Sequence, residues 1–296
     1  MKLLIAGGEG QVGREFPLLA DTTLDIVTCN RATLDITDPV SVRAALTQYQ
    51  PDALVNAAAY TAVDKAESEA DTAFAINATG AATLATAARD AGIPLLHIST
   101  DYVFDGDKPP MLAYSETDAC APQSVYGHSK RAGEQAVLAH YPENSLILRT
   151  SWVFGRFGNN FAKTMLRLGG EREEVRVVAD QWGGPTYAAD IARCLVLAAR
   201  AMHAGTLTPG IYHYSGQPFC NWHAFAQAIF HCAAQHGLRT PQRVLPIASH
   251  EYPVAAKRPA NSSLDSQRLC RTLGIAPSDW AAGLQQLLIW HTQQKS

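Results

Sequence analysis

Tyr126 and Lys130 are the residues whose types and spacing point most directly to chemistry, because they stand four residues apart. The segment from Tyr126 to about Tyr141 predicts a helix, on which this spacing puts both side chains on one face, a turn apart. An ammonium group beside a phenol favours the phenolate, so we expect the pKa of Tyr126 to fall towards neutral. Such a tyrosine can give a proton to a substrate oxygen, or take one, at pH 7. Chance supplies this spacing in roughly a quarter of comparable chains, so the chain must also provide a cofactor, a third polar group and a pocket.

A glycine-rich segment near the N-terminus predicts the cofactor site. It lies between the strand-like run Lys2–Ala6 and a predicted helix that ends at about Ala20. Glycines in such a turn let the backbone approach a pyrophosphate, and the helix N-terminus adds free N–H groups and the positive end of a dipole. Isolated glycines more often mark only a turn, but the strand–turn–helix context favours dinucleotide binding. The residues expected to contact the cofactor here are Gly7, Gly10, Gln11, Val12 and Gly13.

The end of the second predicted strand, Asp25–Cys29, indicates which dinucleotide binds. A site for NAD usually has an acidic residue here that holds the ribose 2′-hydroxyl. This chain has Asn30 and Arg31 instead. An arginine suits the 2′-phosphate of NADP(H), although Arg31 could also be a solvated surface residue. We therefore predict NADPH as the cofactor and leave NADH open, with Asp35, followed by Ile36, as the expected adenine contact.

Two further predicted strands end in residues suited to the same site, since open α/β sheets bind ligands at the carboxyl ends of their strands. After the strand 93–98 come Thr100 and Asp101. The Thr100 hydroxyl could polarise a substrate carbonyl, or it could only cap the backbone. Two interpretations remain for Asn77, on a predicted helix over 70–91: it contacts the site, or it is a buried amide that fixes the backbone. After the strand 52–56 come residues expected to let a flat cofactor lie close to the backbone: Ala58, Ala59, Tyr60 and Thr61.

The composition is that of an ordinary globular protein and excludes several functions. The 296 residues, 47% hydrophobic and 17% charged, suffice for a large core or two packed domains. A net charge of −3 gives no basic field for nucleic acid. No apolar run approaches the roughly 18–20 residues of a membrane span, and the chain begins with a strand rather than a signal peptide. We expect a cytoplasmic protein with no nucleic-acid or membrane partner, whose six scattered cysteines are reduced and mostly buried.

The order of these motifs carries a resemblance to a known superfamily. The glycine loop, the run 56–59, the run 99–101 and the Tyr126–Lys130 pair follow one another as in the extended short-chain dehydrogenase/reductases, which the chain resembles. Further blocks, spread over nearly the whole chain, are similar to the branch that reduces 4-keto dTDP-sugars: 55–67, 99–104, 149–153, 158–162, 180–186 and 258–262.

The resemblance implies a reaction and roles for four residues. The expected reaction is reduction of the 4-keto group of dTDP-4-dehydro-L-rhamnose to dTDP-L-rhamnose, in the synthesis of cell-surface polysaccharide. Tyr126 would give a proton to the C4 oxygen, while Lys130 would hold the nicotinamide ribose and lower the pKa of the tyrosine. Thr100 would hydrogen-bond the ketone, with Asp101 also near the sugar. The hydride would come from the reduced nicotinamide, so the protein supplies position and electrostatics.

The same resemblance assigns the second half to the substrate. Trp152 is similar to a sugar-facing tryptophan, or else it is an ordinary core residue. Asn160 is expected to meet the nucleotide or to cap a helix. Arg258, in a basic polar loop, suits a diphosphate because guanidinium binds phosphate in a bidentate way, although a surface turn is the alternative.

The predicted fold class is α/β, a Rossmann-type doubly wound parallel sheet with a smaller C-terminal α/β substrate lobe. We assign 1–150 and about 187–220 to the NADP(H)-binding domain, and about 151–186 and 221–296 to the lobe that binds the sugar nucleotide.

Several alternatives stay open. The resembling enzymes have been associated with magnesium, but no clustered carboxylates here demand a metal, so we predict none. The oligomeric state is open, with a homodimer as one option. The chain could instead be a reductase or epimerase of another 4-keto nucleotide sugar, or a catalytically silent binding subunit. A dehydratase is disfavoured because Tyr102 follows Asp101 where those enzymes carry a second acid. Net consumption of NADPH separates a reductase from an epimerase.

Overall fold

Strands and helices alternate along the chain. The structure is a computed structural model that describes residues 1–294, so 295–296 of the predicted substrate lobe lie outside the described part. The strands are β1 (Lys2–Ala6), β2 (Asp25–Cys29), β3 (Ala53–Asn56), β4 (Leu95–Thr100), β5 (Ser145–Thr150), β6 (Val153–Phe154), β7 (Glu174–Val178), β8 (Trp182–Gly183), β9 (Thr186–Tyr187), β10 (Gly210–His213), β11 (Gly216–Gln217), β12 (Cys220–Asn221), β13 (Arg243–Ile247), β14 (Asn261–Ser262) and β15 (Ser278–Asp279). The α-helices are α1 (Pro39–Tyr49), α2 (Val63–Ala66), α3 (Ala70–Phe74), α4 (Gly80–Ala91), α5 (Val125–His140), α6 (Phe161–Glu171), α7 (Ala188–His203), α8 (Trp222–Gln235), α9 (Gln267–Leu273) and α10 (Trp280–Gln293).

A six-stranded sheet in the order β10-β5-β4-β3-β1-β2 forms the centre of the fold. Every neighbouring pair of its strands is parallel. The inner strands are almost continuously buried, as expected where helices cover both faces. Helices α1, α4 and α5 pack on one face and α7 and α9 on the other. The predicted doubly wound α/β sheet is confirmed.

The winding of the sheet changes direction at β1. From β1 the chain crosses to β2 at the edge, and then returns past β1 to β3 on its other side. Such a reversal opens a crevice outside the carboxyl ends of the two central strands, where α/β sheets bind ligands. The glycine-rich loop after β1 and the small residues after β3 meet in this crevice.

A third hydrophobic cluster lies beyond β5. Side chains from α6, α8 and α10 build it together with residues of β7 and β9. β7 pairs in parallel with β13, and the remaining strands form short ladders. Thr186 and Tyr187 pair with β6, and α7 begins directly after them at Ala188.

Two predicted helices differ from the observed ones. The helix expected after the glycine loop is a 3₁₀ helix over Gly13–Leu19 with Pro17 inside it, because proline has no N–H and its ring blocks an α-helix. The helix predicted over 70–91 contains a π-helical turn, Ala75–Thr79, between α3 and α4. π turns are frequent at functional sites, and this one carries Asn77.

Two smaller expectations concern the cysteines and membranes. All six cysteines are free thiols and five of them are buried, as predicted. Within residues 1–294, no helix has both the length and the apolar character needed to cross a membrane.

Gly133 allows α5 to pack closely against the π turn. A Cβ atom at this position would stand 2.1 Å from the carbonyl oxygen of Asn77. We expect Gly133→Ala to lower the free energy of unfolding by about 1–3 kcal/mol, because α5 must move away from the turn. Gly170→Ala on α6 is the matched control: its Cβ would meet nothing within 4 Å, and alanine is favoured over glycine in helices by about 1 kcal/mol. Urea unfolding measures both, and an unchanged stability of Gly133→Ala would contradict the packing argument.

Candidate active site

The crevice at the ends of β1 and β3 is shaped by close backbone contact. Gly7 has a φ of +83°, and a Cβ there would stand 2.5 Å from the backbone nitrogen of Ala58. Only glycine is compatible with both that conformation and that approach. The resulting cavity of about 240 Å³ contains eight of the predicted cofactor residues in its lining: Gly7, Gly10, Asn30, Arg31, Asp35, Ile36, Ala58 and Ala59.

The polar groups at the mouth of this cavity fit the adenosine end of a dinucleotide. Arg31 is 81% exposed and forms a loose ion pair with Asp35 at 3.4 Å. Its guanidinium is therefore accessible to a phosphate. Asp35 Oδ1 accepts hydrogen bonds from the backbone nitrogen and hydroxyl of Thr37, which lower the pKa of this carboxyl. Asn30 donates its amide hydrogen to Glu9, another lining residue.

Gln11 and Asn160 contact each other rather than the cavity. The Asn160 amide donates to Gln11 Oε1 at 2.7 Å, and Gln11 donates to the carbonyl oxygen of Val153 at 3.1 Å. Asn160 Oδ1 also caps α6 by accepting from the backbone nitrogen of Lys163. Of the two predictions for Asn160, the structure contains the helix cap. The bond to Gln11 ties the glycine loop to the segment after β5.

The loop after β3 is fixed by Asn77. The backbone nitrogen of Tyr60 donates to Asn77 Oδ1 at 2.9 Å, and the Asn77 amide donates to the Tyr60 carbonyl oxygen at 3.1 Å. The same amide donates to Ser129 Oγ on α5, and Ser129 in turn donates to the Tyr126 carbonyl oxygen. Asn77 is thus the buried amide that fixes the backbone. Thr61, a predicted cofactor contact, is exposed at the end of this loop.

Tyr126 and Lys130 lie buried on the same face of α5, as their spacing predicted. Ser124 caps the helix by accepting from the backbone nitrogen of Gly127 at 3.1 Å. Lys130 Nζ donates to the carbonyl oxygen of Ile98 at 2.7 Å, which fixes the ammonium against β4. Burial lowers the pKa of Lys130 to about 8, although Glu134 opposes the shift.

The predicted fall in the pKa of Tyr126 is wrong for this structure. Burial raises the pKa of its phenol to about 12, although a hydrogen bond with Thr100 acts in the opposite direction. The expected opposing effect of Lys130 is not found, and its ammonium is bonded to the backbone of β4 instead. Tyr126 therefore carries its proton at neutral pH, which is the state that a proton donor needs.

Thr100 and Asp101 stand beside Tyr126 at the end of β4. Thr100 Oγ1 accepts from the backbone nitrogen of Tyr102 at 3.2 Å and donates to Asp101 Oδ1 at 3.0 Å. The hydroxyl therefore caps the following turn while it also lies next to the phenol. Burial raises the pKa of Asp101 to about 6, and hydrogen bonds with Ser262 and Thr100 limit the rise.

A second and larger groove, of about 1310 Å³, lies between α6, β7 and the segment 247–258. Arg258 lines it and donates to Asp64 Oδ2 at 3.0 Å, which ties this segment to α2. Trp152 stacks on Trp222 with ring centroids 3.5 Å apart and has a φ of +48°. Trp222 lines the groove, and the sequence alone gave no reason to single it out from other tryptophans.

A buried ion pair under α5 was not predicted from the sequence. Glu134 on α5 and Arg149 on β5 are both fully buried and bonded through Nε and Nη2 at 2.7 and 2.8 Å. The sequence feature that could have indicated this pair is a polar residue at an otherwise apolar position, once in a predicted helix and once in a predicted strand. Within residues 1–294, no group of three or more histidine, cysteine, aspartate or glutamate side chains could hold a metal ion.

The fold and the site together define a class. A glycine turn at the reversal point of a parallel sheet, with a buried tyrosine and lysine beside a strand-end threonine, is the arrangement of a short-chain dehydrogenase/reductase, an oxidoreductase that uses a nicotinamide dinucleotide.

Comparison with known proteins narrows this class to a family. The family model described as RmlD substrate binding domain matches residues 1–293. The dTDP-4-dehydrorhamnose reductase of Aggregatibacter actinomycetemcomitans is 46% identical over 97% of this chain and 98% of that protein. The enzyme of the same name from Sinorhizobium fredii is 43% identical over 98% and 97%. The chain belongs to the dTDP-4-dehydrorhamnose reductase family.

A solved structure agrees with this assignment. The dTDP-4-dehydrorhamnose reductase of Bacillus anthracis, in complex with NADP, superimposes with a TM-score of 0.88 at 39% identity. The match covers 97% of this chain and 98% of that one.

The buried carboxyl of Asp101 predicts an unusual dependence of stability on pH. Its folded-state pKa of about 6 lies above the ordinary 3.8, so the folded state holds the proton more tightly than the unfolded state. Burying the charge therefore destabilises the fold above pH 6, and the effect fades as the pH falls towards 4. We expect Asp101→Asn to be more stable than wild type by about 2–3 kcal/mol at pH 8, and by less than about 1 kcal/mol at pH 4.

Urea unfolding across this pH range provides the measurement. Asp105→Asn is the matched control with the opposite sign, because the Tyr114 hydroxyl donates to Asp105 and lowers the pKa of that carboxyl. It should be less stable than wild type at pH 8. A pH-independent effect of Asp101→Asn would contradict the buried-charge explanation.

Proposed function

We propose that this chain reduces the 4-keto group of dTDP-4-dehydro-L-rhamnose with NADPH and releases dTDP-L-rhamnose. The observation that carries the proposal is the meeting of Tyr126, Lys130 and Thr100 at the carboxyl end of β4, the strand next to β3, which borders the dinucleotide crevice. Membership of the family supports the choice of sugar nucleotide.

The reaction requires the protein to donate one proton and to orient the carbonyl group of the sugar. NADPH, when bound, supplies the hydride that reaches C4 of the sugar. Tyr126, protonated at neutral pH, donates its proton to the C4 oxygen as negative charge develops there. The Thr100 hydroxyl, which donates its single proton to Asp101 in this structure, would turn that proton to the C4 oxygen when the sugar binds and so hold the carbonyl towards the phenol. Both groups are buried, so water does not compete for the oxygen.

The cofactor contacts follow from the crevice. The glycine loop would hold the diphosphate, Arg31 the 2′-phosphate, and Asp35 and Ile36 the adenosine side. Lys130 would bind the ribose next to the nicotinamide. The remaining proposed cofactor contacts are Gln11, Val12, Asn30, Ala58, Ala59, Tyr60 and Thr61, of which Gln11 acts through its bond to Asn160.

The larger groove is the proposed site of the dTDP moiety. Arg258, which lines the groove, suits the diphosphate. Trp152, which stacks on the groove residue Trp222, and Asp101 are the proposed contacts of the sugar. Asn160 contributes by holding α6, one wall of the groove. This division supports the proposed domains: 1–150 with 187–220 for the cofactor, and 151–186 with 221–296 for the sugar nucleotide. A cytoplasmic location suits the NADPH supply and the free thiols, and a homodimer stays a prediction.

Replacement of the phenol is the direct test of the proposed reaction. We expect Tyr126→Phe to lose about 10²- to 10⁴-fold in kcat, because the general acid is removed while the ring keeps its packing. NADPH affinity, followed by fluorescence, should stay within a few-fold of wild type. The assay is NADPH oxidation with dTDP-4-dehydrorhamnose generated in situ, with Tyr102→Phe as the matched phenol control. Undiminished turnover by Tyr126→Phe would refute the proposal.

The exposed guanidinium of Arg31 predicts the cofactor preference. We expect Arg31→Ala to weaken NADPH binding by about 10- to 100-fold, because a charge-assisted bond to the 2′-phosphate is lost. Binding of NADH, which lacks that phosphate, should change little. Arg43→Ala, an exposed arginine on α1, is the control. Equal weakening of both cofactors would show that Arg31 does not recognise the phosphate.

A further inference from the structure

A continuous layer of buried polar side chains lies between α5 and the carboxyl half of the central sheet. Register pairs His97 with Asn56, and Arg149 with both Ser99 and His213, so these residues stand side by side on adjacent strands. All of them are at most 3% exposed. Lys130 and Glu134 enter the same layer from α5, one helical turn apart.

Glu134 accepts four hydrogen bonds in this layer. Its Oε1 accepts from Ser99 Oγ at 2.6 Å and from Arg149 Nε at 2.7 Å. Its Oε2 accepts from Arg149 Nη2 at 2.8 Å and from Arg131 Nη1 at 2.7 Å. Although burial raises its pKa, these donors outweigh the effect and hold the pKa of Glu134 below the ordinary value. A buried carboxylate with four donors keeps its charge.

Arg149 is fixed as firmly on its other side. Its Nη2 donates to Cys120 Sγ at 3.2 Å, and its Nη1 faces His213 Nε2 at 3.5 Å. The guanidinium also lies over the ring of Phe104, 5.1 Å from the centroid. Arg149 therefore cannot follow α5 if the helix moves, and it anchors the carboxylate of Glu134 to the sheet.

Glu134 is the anion that acts on Lys130 and raises its pKa. The other ionisable groups around it are neutral, partly exposed or act elsewhere. Burial lowers the pKa of His97 and lowers that of His213 to about 3, so both are neutral. Burial raises the pKa of Cys120, which stays a thiol. Arg131, on α5, is partly exposed. Asp101, on the turn after β4, acts on Tyr126 rather than on Lys130.

We propose that Glu134 is a positioning residue for the reaction: anchored by Arg149, its carboxylate keeps the buried Lys130 charged and holds that turn of α5 against β4. The inference rests on the proposed function, because Lys130 is the group expected to bind the nicotinamide ribose. An ammonium that is buried and bonded to a single carbonyl oxygen would lose its proton easily without a nearby anion.

The test follows NADPH affinity and kcat as functions of pH. We expect Glu134→Gln to move the alkaline limb of both profiles to lower pH by about one unit, because Lys130 loses its proton sooner. Since the single change leaves Arg149 buried without its partner, the double variant Glu134→Gln/Arg149→Met is measured as well, and it should move the limb in the same direction. Circular dichroism and thermal unfolding report the folded fraction of each protein.

Two comparisons separate this role from a structural one. Arg149→Met removes the same ion pair but leaves the carboxylate with Ser99 and Arg131, so its limb should not move to lower pH, although its stability falls. Asp90→Asn, which breaks the exposed pair with Arg89 at the end of α4, should leave the limb unchanged.

The outcomes are distinct. The proposal is overturned if Glu134→Gln and the double variant keep the wild-type alkaline limb, or if Arg149→Met moves it down as far. NADPH binding is measured without the sugar nucleotide, so it tests the role of Glu134 independently of the reaction. If the wild-type protein binds NADPH but does not reduce dTDP-4-dehydrorhamnose, the proposed reaction is refuted. The pH dependence of NADPH binding still tests whether Glu134 keeps Lys130 charged.

Discussion

The placement of one ammonium group inside the protein is the constraint on which the site depends. Lys130 is 2% exposed, and removing a charge from water is unfavourable unless other groups replace its hydration. The chain provides a carbonyl oxygen of β4 at 2.7 Å and, a turn further along α5, an anchored carboxylate. Both partners come from elements that also carry residues of the proposed site, Thr100 on β4 and Tyr126 on α5. The contacts of Lys130 therefore also hold these two elements against each other.

That arrangement requires α5 to lie very close to its neighbours. Gly133 removes the side chain that would collide with the π turn, and Asn77 on that turn bonds both to α5 and to the loop after β3. A shift of α5 would therefore also shift the backbone expected to line the nicotinamide side of the crevice. Asn77 thus joins the helix that carries Tyr126 to the loop after β3.

Much of the fold could be predicted from the sequence, because buried parallel strands appear as continuous apolar runs. β1 and β2 have the predicted bounds, and the class of the sheet followed from the alternation of strands and helices. The π turn could not be predicted, since alanine-rich sequence supports α and π geometry alike. The 3₁₀ helix after the glycine loop was signalled by Pro17, whose consequence for an α-helix is general.

The residues of the site could be predicted from the sequence, but their pKa values and their distant partners could not. Tyr126, Lys130 and Thr100 do come together, but the pKa of Tyr126 moves upward because of burial, which spacing does not reveal. Glu134 and Arg149 are 15 residues apart on different elements, and a local pattern does not specify such a partner. Asn160 and Gln11 are 149 residues apart and meet only in the folded chain.

The separation between the two grooves has an evolutionary consequence. The residues proposed to handle the proton and the dinucleotide lie along the central sheet, whereas the larger groove is bounded by α6 and by the segment 247–258, which Arg258 joins to Asp64. The buried layer under α5 is built from other elements. On the proposed assignment of the groove to the sugar nucleotide, a lineage with this architecture could change its substrate preference through mutations in that segment while the residues of the layer stay the same.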